Sequence, residues 1–453
     1  MNNRNMPEQI CFWTIALTWL FYGMGALYLV GPIIAWLLFS MIAVVAYCGE
    51  AVDPTWALSG AIPAVVWVWV GGMSLMLVTL WIGHVNWGLD TSQIIKSSFG
   101  WAKGWALIAI FILCGSVLQI RREPIIRGLS IVGLCTLCLL PILLIAPYIG
   151  LPFRIFVSPL EAAGGPGPEY FSVFLYTTDP ETMTPRWQFY APWSPFAGMI
   201  GVMASVIALE EKERFWRYLA FTAGVAMIFC SQSRMSMVSL VVCVAIPRIL
   251  PFLLRSFAWM AISTILAALS IFGSSLINLI SQSIIGFRGA RANSTRVRDT
   301  IQSIGYQRWQ TEAFWFGHGT IARGTHIVEF MPIGSHHTWY GLLFVKGLVG
   351  LVALLIPLVC HFLVVFLDAI RSPRGRLPFA ILLNFAILTF GENLEIEVYL
   401  FWPALILLGI HLRELQSGEN TDVYPSQNLE IGVCRAPIKA ETITVKQLSR
   451  TYG

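Results

Sequence analysis

Six arginines, Arg288, Arg291, Arg296, Arg298, Arg308 and Arg323, fall between residues 281 and 337 in a stretch that contains no lysine. The same stretch holds His318, His326, His336 and His337, four of the seven histidines in the chain. A guanidinium is planar, permanently charged and matched to pairs of phosphate oxygens. Imidazole, with an unperturbed pKa of about 6.5, exchanges protons near neutral pH. Together these groups suit a reaction in which a phosphate departs and a proton is taken up. Contact with anionic lipid headgroups, or simple solvation, also accounts for the arginines alone. The histidine spacings fit no common zinc pattern and no cysteine lies nearby, so no metal site is expected.

Further candidates lie elsewhere. Arg234 closes Cys230-Ser231-Gln232-Ser233-Arg234, a polar break between two apolar runs. A charge beside lipid is costly and usually faces the bundle interior or a water-filled cavity. Arg186 sits in Thr184-Pro185-Arg186-Trp187-Gln188. Glu392, Glu395 and Glu397 precede the last apolar run, placed to orient a histidine, bind a sugar hydroxyl, or face solvent. The cysteines, including Cys135 and Cys138, read as small buried hydrophobes.

The elements that must position these residues are membrane helices. Hydrophobic residues make up 57% and charged residues 12% of 453 positions, far from a soluble domain. The net charge of +5 is no nucleic-acid signal, because loop charges in such a chain set its topology. Apolar runs predict twelve spans near 10–30, 31–48, 61–82, 104–120, 128–149, 196–210, 217–232, 235–250, 257–280, 338–367, 378–390 and 397–413. The first is read as a retained helix rather than a cleaved signal. Arginines and lysines at 121–127, 212–217, 248–255 and 371–376 mark loops on one side, expected to be cytoplasmic with both termini. Two long loops then face the other side: 150–195, rich in Gly, Pro and aromatics, and 281–337, in which Val297–Trp309 predicts an amphipathic helix on the membrane surface. Residues 1–280 thus carry nine spans, 338–413 carry three, and 414–453 form a polar tail. The expected class is all-α and polytopic.

The pattern resembles the O-antigen ligase and polysaccharide polymerase superfamily. His336 and His337, nine residues, Gly347, Leu348-Val349 and Gly350 reproduce its histidine–glycine motif, with His337 where an amide or hydroxyl residue usually stands. Phe316-Gly317-His318-Gly319 looks like its G-x-G turn, Ser294-Thr295-Arg296 like the arginine-bearing start of its loop, and Ser231-Gln232-Ser233-Arg234 like its Ser-Arg signature. The resemblance implies a metal-independent, inverting glycosyltransferase of the GT-C type in the bacterial inner membrane, needing no cofactor. Its donor would be an undecaprenyl-diphosphate-linked glycan, and its acceptor a glycan or lipid A–core hydroxyl at the periplasmic face. It implies Arg234 and Arg296 on the diphosphate and His336 as general base, although the adjacent His337 leaves that choice open by sequence. Arg186, Arg298, His318, His337 and Glu392 are further substrate-binding candidates, and Trp187, Trp193 and Trp315 are placed to stack on sugars. Ligase and polymerase share these parts. A transporter for the same lipid is the alternative, disfavoured because the spans read as almost free of charge.

Overall fold

The computed structural model describes residues 5–48, 60–179, 182–270, 292–323, 332–333 and 337–418, with single residues at 58 and 273. At 292–295 and 322–323 the description is of backbone alone. The chain is mostly helical, and among the described residues its strands are confined to three two-stranded pairings of loop segments.

In chain order the helices are α1 (Met6–Ala16), α2 (Thr18–Gly23), α3 (Leu27–Cys48), α4 (Ala64–Asn86), α5 (Thr91–Lys103), α6 (Trp105–Val117) and α7 (Arg122–Ile145). There follow α8 (Ser194–Ala208), α9 (Arg214–Ser231), α10 (Arg234–Ile249), α11 (Ser256–Ser270), α12 (Ala292–Glu312), α13 (Thr338–Arg371), α14 (Arg376–Leu388) and α15 (Leu394–Ser417). Among the described residues, seven stretches are long and apolar enough to cross a membrane: α3, α4, α5 with α6, α7, α10 extended to Leu254, α13 and α15.

The coarse expectation of an all-α, multi-pass membrane protein is met, whereas twelve full spans are not seen among the described residues, where the ninth expected span, 257–280, is described only to residue 270 and at residue 273. The first expected span is broken into α1 and α2 and ends at a turn through Gly25, whose φ of +63° suits glycine. A Cβ there would lie 2.5 Å from Ser158 Cβ and 2.6 Å from Phe171 O, so the long loop packs directly into this turn. Helices α8 and α14 have 15 and 13 residues. At 1.5 Å per residue these reach about 20 Å, short of the roughly 30 Å hydrocarbon core. Both are buried along most of their length, so neighbouring helices rather than lipid surround them.

Ion pairs sort the bundle into two ends. Arg121 binds Glu8 at 2.8 Å, Arg122 pairs with Glu414, Arg127 bridges Glu211 and Glu213 at 2.9 Å, and Arg374 meets Asp368 at 3.3 Å. The start of α1 and the last turns of α15 therefore share one end with the basic clusters, here called the basic end. Loop 150–195 lies at the opposite, loop end: its strands β1 (Arg154–Val157) and β2 (Ser172–Phe174) pair antiparallel, and Tyr22 Oη at the foot of α2 accepts a hydrogen bond from Phe174 N–H at 2.8 Å.

Candidate functional site at the loop end

Helix α13 starts at the loop end with His337 as its N-cap. The imidazole Nδ1 accepts the Trp339 backbone N–H at 3.2 Å, satisfying one of the donors a helix start leaves open. With Nδ1 accepting, the neutral ring carries its proton on Nε2. Thr338 then stitches the helix to the α14–α15 turn: its N–H reaches Thr389 O at 3.1 Å, its hydroxyl donates to Glu392 O at 2.8 Å, and it accepts from Leu394 N at 3.0 Å.

Ten residues on, α13 breaks at Gly347, which has φ +66°. The segment Phe314–Gly319 runs through the break. It supplies Phe314 O and Trp315 O to the N–H groups of Leu348 and Val349 at 2.9 and 3.1 Å. In return, His318 N and Gly319 N donate to Phe344 O and Val345 O, both at 2.9 Å. Gly317 and Gly347 face each other across this crossing, where any Cβ would come within 2.3–2.6 Å of backbone atoms. The glycines of both motifs thus let two backbones pass. His318 is absorbed by the same packing: it stacks on Phe344 at 4.2 Å, lies 4.7 Å from Trp87, and its nitrogens meet Phe344 O and Glu312 at 3.0 and 2.8 Å.

Helix α12 forms where an amphipathic helix was expected. It docks on α13 rather than lying alone: Ile301 and Trp309 are buried and Tyr306 meets Tyr340 edge-on at 6.2 Å. Arg308 pairs with Glu312 one turn on, at 2.9 Å, and lies over Phe344, so its charge is used within this unit. Arg296 is exposed on α12 and Arg298 half-buried.

A second unit forms around the break between α9 and α10. Arg186, buried on β4 (Pro185–Arg186), donates to Ser231 O through Nε and Nη2 at 3.2 and 3.0 Å, and meets Asp179 at 3.4 Å. Gln232 adopts the left-handed region, φ +53°, and donates to Pro185 O at 3.2 Å. Ser233 caps α10, which leaves Arg234 at its first helical position. A cation there opposes the helix dipole.

The two units meet at Glu392. Trp193, just ahead of α8, donates its indole N–H to Glu392 Oε2 at 3.1 Å, and a Cβ on neighbouring Gly391 would lie 2.5 Å from Met235 Cε. Arg298 acts electrostatically on both His337 and Glu392. Burial, with Arg298 adding to it, holds the His337 imidazole down at about 4. Burial dominates at Glu392 too: its carboxyl is pushed up to about 7, against the opposing pull of Arg298 and Trp193.

Of the residues singled out by sequence, Arg298, His337 and Glu392 come together here, while Arg186 and Arg234 belong to the α9–α10 unit, which touches this one through Met235 and Gly391. His318 does not join them, since it is packed under α12. His336, Arg288, Arg291 and His326 lie outside the described residues, as do the side chain of Arg323 and the chain after 418. Three expectations change. Glu392 and Glu397 are buried rather than solvated, because the N-terminus of α15 is roofed by loop 150–195. Trp187 is buried with its N–H on Leu143 O at 2.7 Å, so it presents no face to a sugar, whereas Trp315 is exposed. The spans are not free of charge either: Lys346, Asp368 and Glu397 are buried inside helices. Lys346 was missed because a single lysine in a run of 34 helical residues looks like noise until the helix is seen to kink beside it.

No protein-family model matches the chain, and no curated protein matches it.

Proposed function

We propose that this protein is an inverting, metal-independent membrane glycosyltransferase of the O-antigen ligase or polymerase type. It moves a glycan from an undecaprenyl-diphosphate carrier to an acceptor hydroxyl at the periplasmic face of the bacterial inner membrane, with both termini cytoplasmic. The observation that carries this reading is the meeting of four helix N-termini, those of α8, α10, α13 and α15, with Arg234 and Arg298. Helix N-termini and guanidinium groups both favour anions, and Arg234 stands where its helix alone would disfavour it.

In this mechanism the acceptor oxygen attacks the anomeric carbon and the glycosidic C–O bond breaks, its electron pair leaving with the diphosphate. Arg234 and Arg296 stabilise the departing charge. His336 takes the acceptor proton as general base, an effect typically worth about 10²–10⁴ in rate. His337 caps α13. Attack opposite the leaving group inverts the anomeric centre.

The direct test uses the full chain in nanodiscs with an undecaprenyl-diphosphate-linked glycan. Turnover is expected to persist in EDTA and to fall about 100-fold or more in Arg234→Ala. Turnover that needs added Mg²⁺ or Mn²⁺ would overturn the arginine mechanism. A transporter is the second reading, supported by His361, Asp368 and His411 buried toward the basic end. These groups lie at the opposite end from the arginines, which favours surface chemistry over passage through the bundle.

A further inference from the structure

Glu392 and Glu397 are both buried, at 1% and 0% exposure, and their carboxyl groups face each other. Glu392 Oε2 accepts from Trp193, but among the described residues Glu392 Oε1 and both oxygens of Glu397 meet no donor from any other residue. Two ionised carboxylates are acceptors only, so such a contact is satisfied only when one of them carries a proton. Among the described residues, the surroundings supply no alternative. Arg298 is the cation acting on Glu392. From the other elements packed here come phenols, which donate weakly: Tyr28 of α3, Tyr399 of α15, and Tyr170 of the loop, whose rings meet pairwise at 5.2–6.1 Å. His337 faces Arg298 from the α13 cap with Nδ1 already accepting, and Lys346 answers Glu395.

We propose that Glu392 and Glu397 form a carboxyl pair that holds one proton at rest, and that it is the proton store of the transfer site. The store receives the proton that the general base has taken from the acceptor hydroxyl, becoming doubly protonated and neutral, and then releases it to water. The proposal deepens the glycosyltransferase reading and rests on it for the turnover step. Resting occupancy by one proton is a property of the pair alone. Glu392, raised to about 7, is matched to accept a proton near neutrality. Below that pH the pair is already full, so transfer falls as the pH drops through about 7.

Two measurements on the full chain in nanodiscs separate the store from the transferase. Infrared difference spectra at pH 8, with no substrate present, should show a protonated carboxyl C=O band that Glu397→Gln removes. No such band lost in Glu397→Gln would overturn the pair whatever the protein catalyses. In the variant, the amide N–H replaces the Glu397 hydroxyl as donor to Glu392, and as the weaker donor it stabilises the carboxylate less. The acid limb of turnover should therefore move up in pH, while Glu392→Gln loses at least about tenfold in kcat. Superimposable pH–rate profiles for wild type and Glu397→Gln would overturn the store. Both variants are near-isosteric, and a melting transition like that of wild type establishes folding.

Discussion

Among the histidines, position in the backbone decides role. His337 spends Nδ1 on the Trp339 N–H and is held neutral by burial and by Arg298. Asparagine caps helices well, so His337→Asn should retain transfer, whereas His337→Ala should lose about 1 kcal/mol of stability with the cap. Loss of transfer in a folded His337→Asn would make His337 the base instead. The sign of its pH effect is fixed: the unfolded chain binds a proton at this residue below about 6.5, and the folded chain does so only near 4. Stability contributed here is therefore lost as the pH falls from about 6.5 toward 4. The melting-temperature gap between His337→Asn and wild type should widen in favour of the variant over that window. That histidines cluster around residue 337 was legible in the sequence. The role of His337 as a cap was not, because capping depends on where the helix begins.

The break in α13 explains the glycine motifs at the level of the element. The family resemblance made Gly317, Gly347 and Gly350 part of a signature, and the structure gives two of them a physical role. Gly317 and Gly347 let Phe314–Gly319 cross the broken helix and exchange four backbone hydrogen bonds with it. Gly347→Ala combines a left-handed backbone with a Cβ 2.3 Å from Trp315 O. Its cost should be about 2–5 kcal/mol, read as a large drop in melting temperature in detergent. A wild-type melting temperature would mean that the crossing is not formed. A helix-period reading could not foresee the break, since the apolar pattern of residues 338–371 continues through it. The burial of Glu392 and Glu397 was equally hidden, because the roof over them comes from a loop some 200 residues away in sequence.

Across the whole molecule, composition and loop charge carried most of what could be read. The basic clusters do gather at one end, and α1 starts where α15 finishes, as the charge pattern requires. Span number was less legible: apolar runs such as those of α8 and α14 look membrane-long beside their loops, yet are short helices buried among others. Of the arginine-rich stretch, α12 docks on α13 through buried Ile301 and Trp309. The central claim concerns what this assembly does in a cell, and one measurement tests it most directly. Cells lacking the gene would be complemented with wild type or His336→Ala, and their undecaprenyl-linked glycans extracted and resolved by size. The account predicts that His336→Ala, correctly inserted, leaves glycan on the carrier: single repeat units for a polymerase, long chains with a bare acceptor for a ligase. A His336→Ala profile identical to wild type would contradict it.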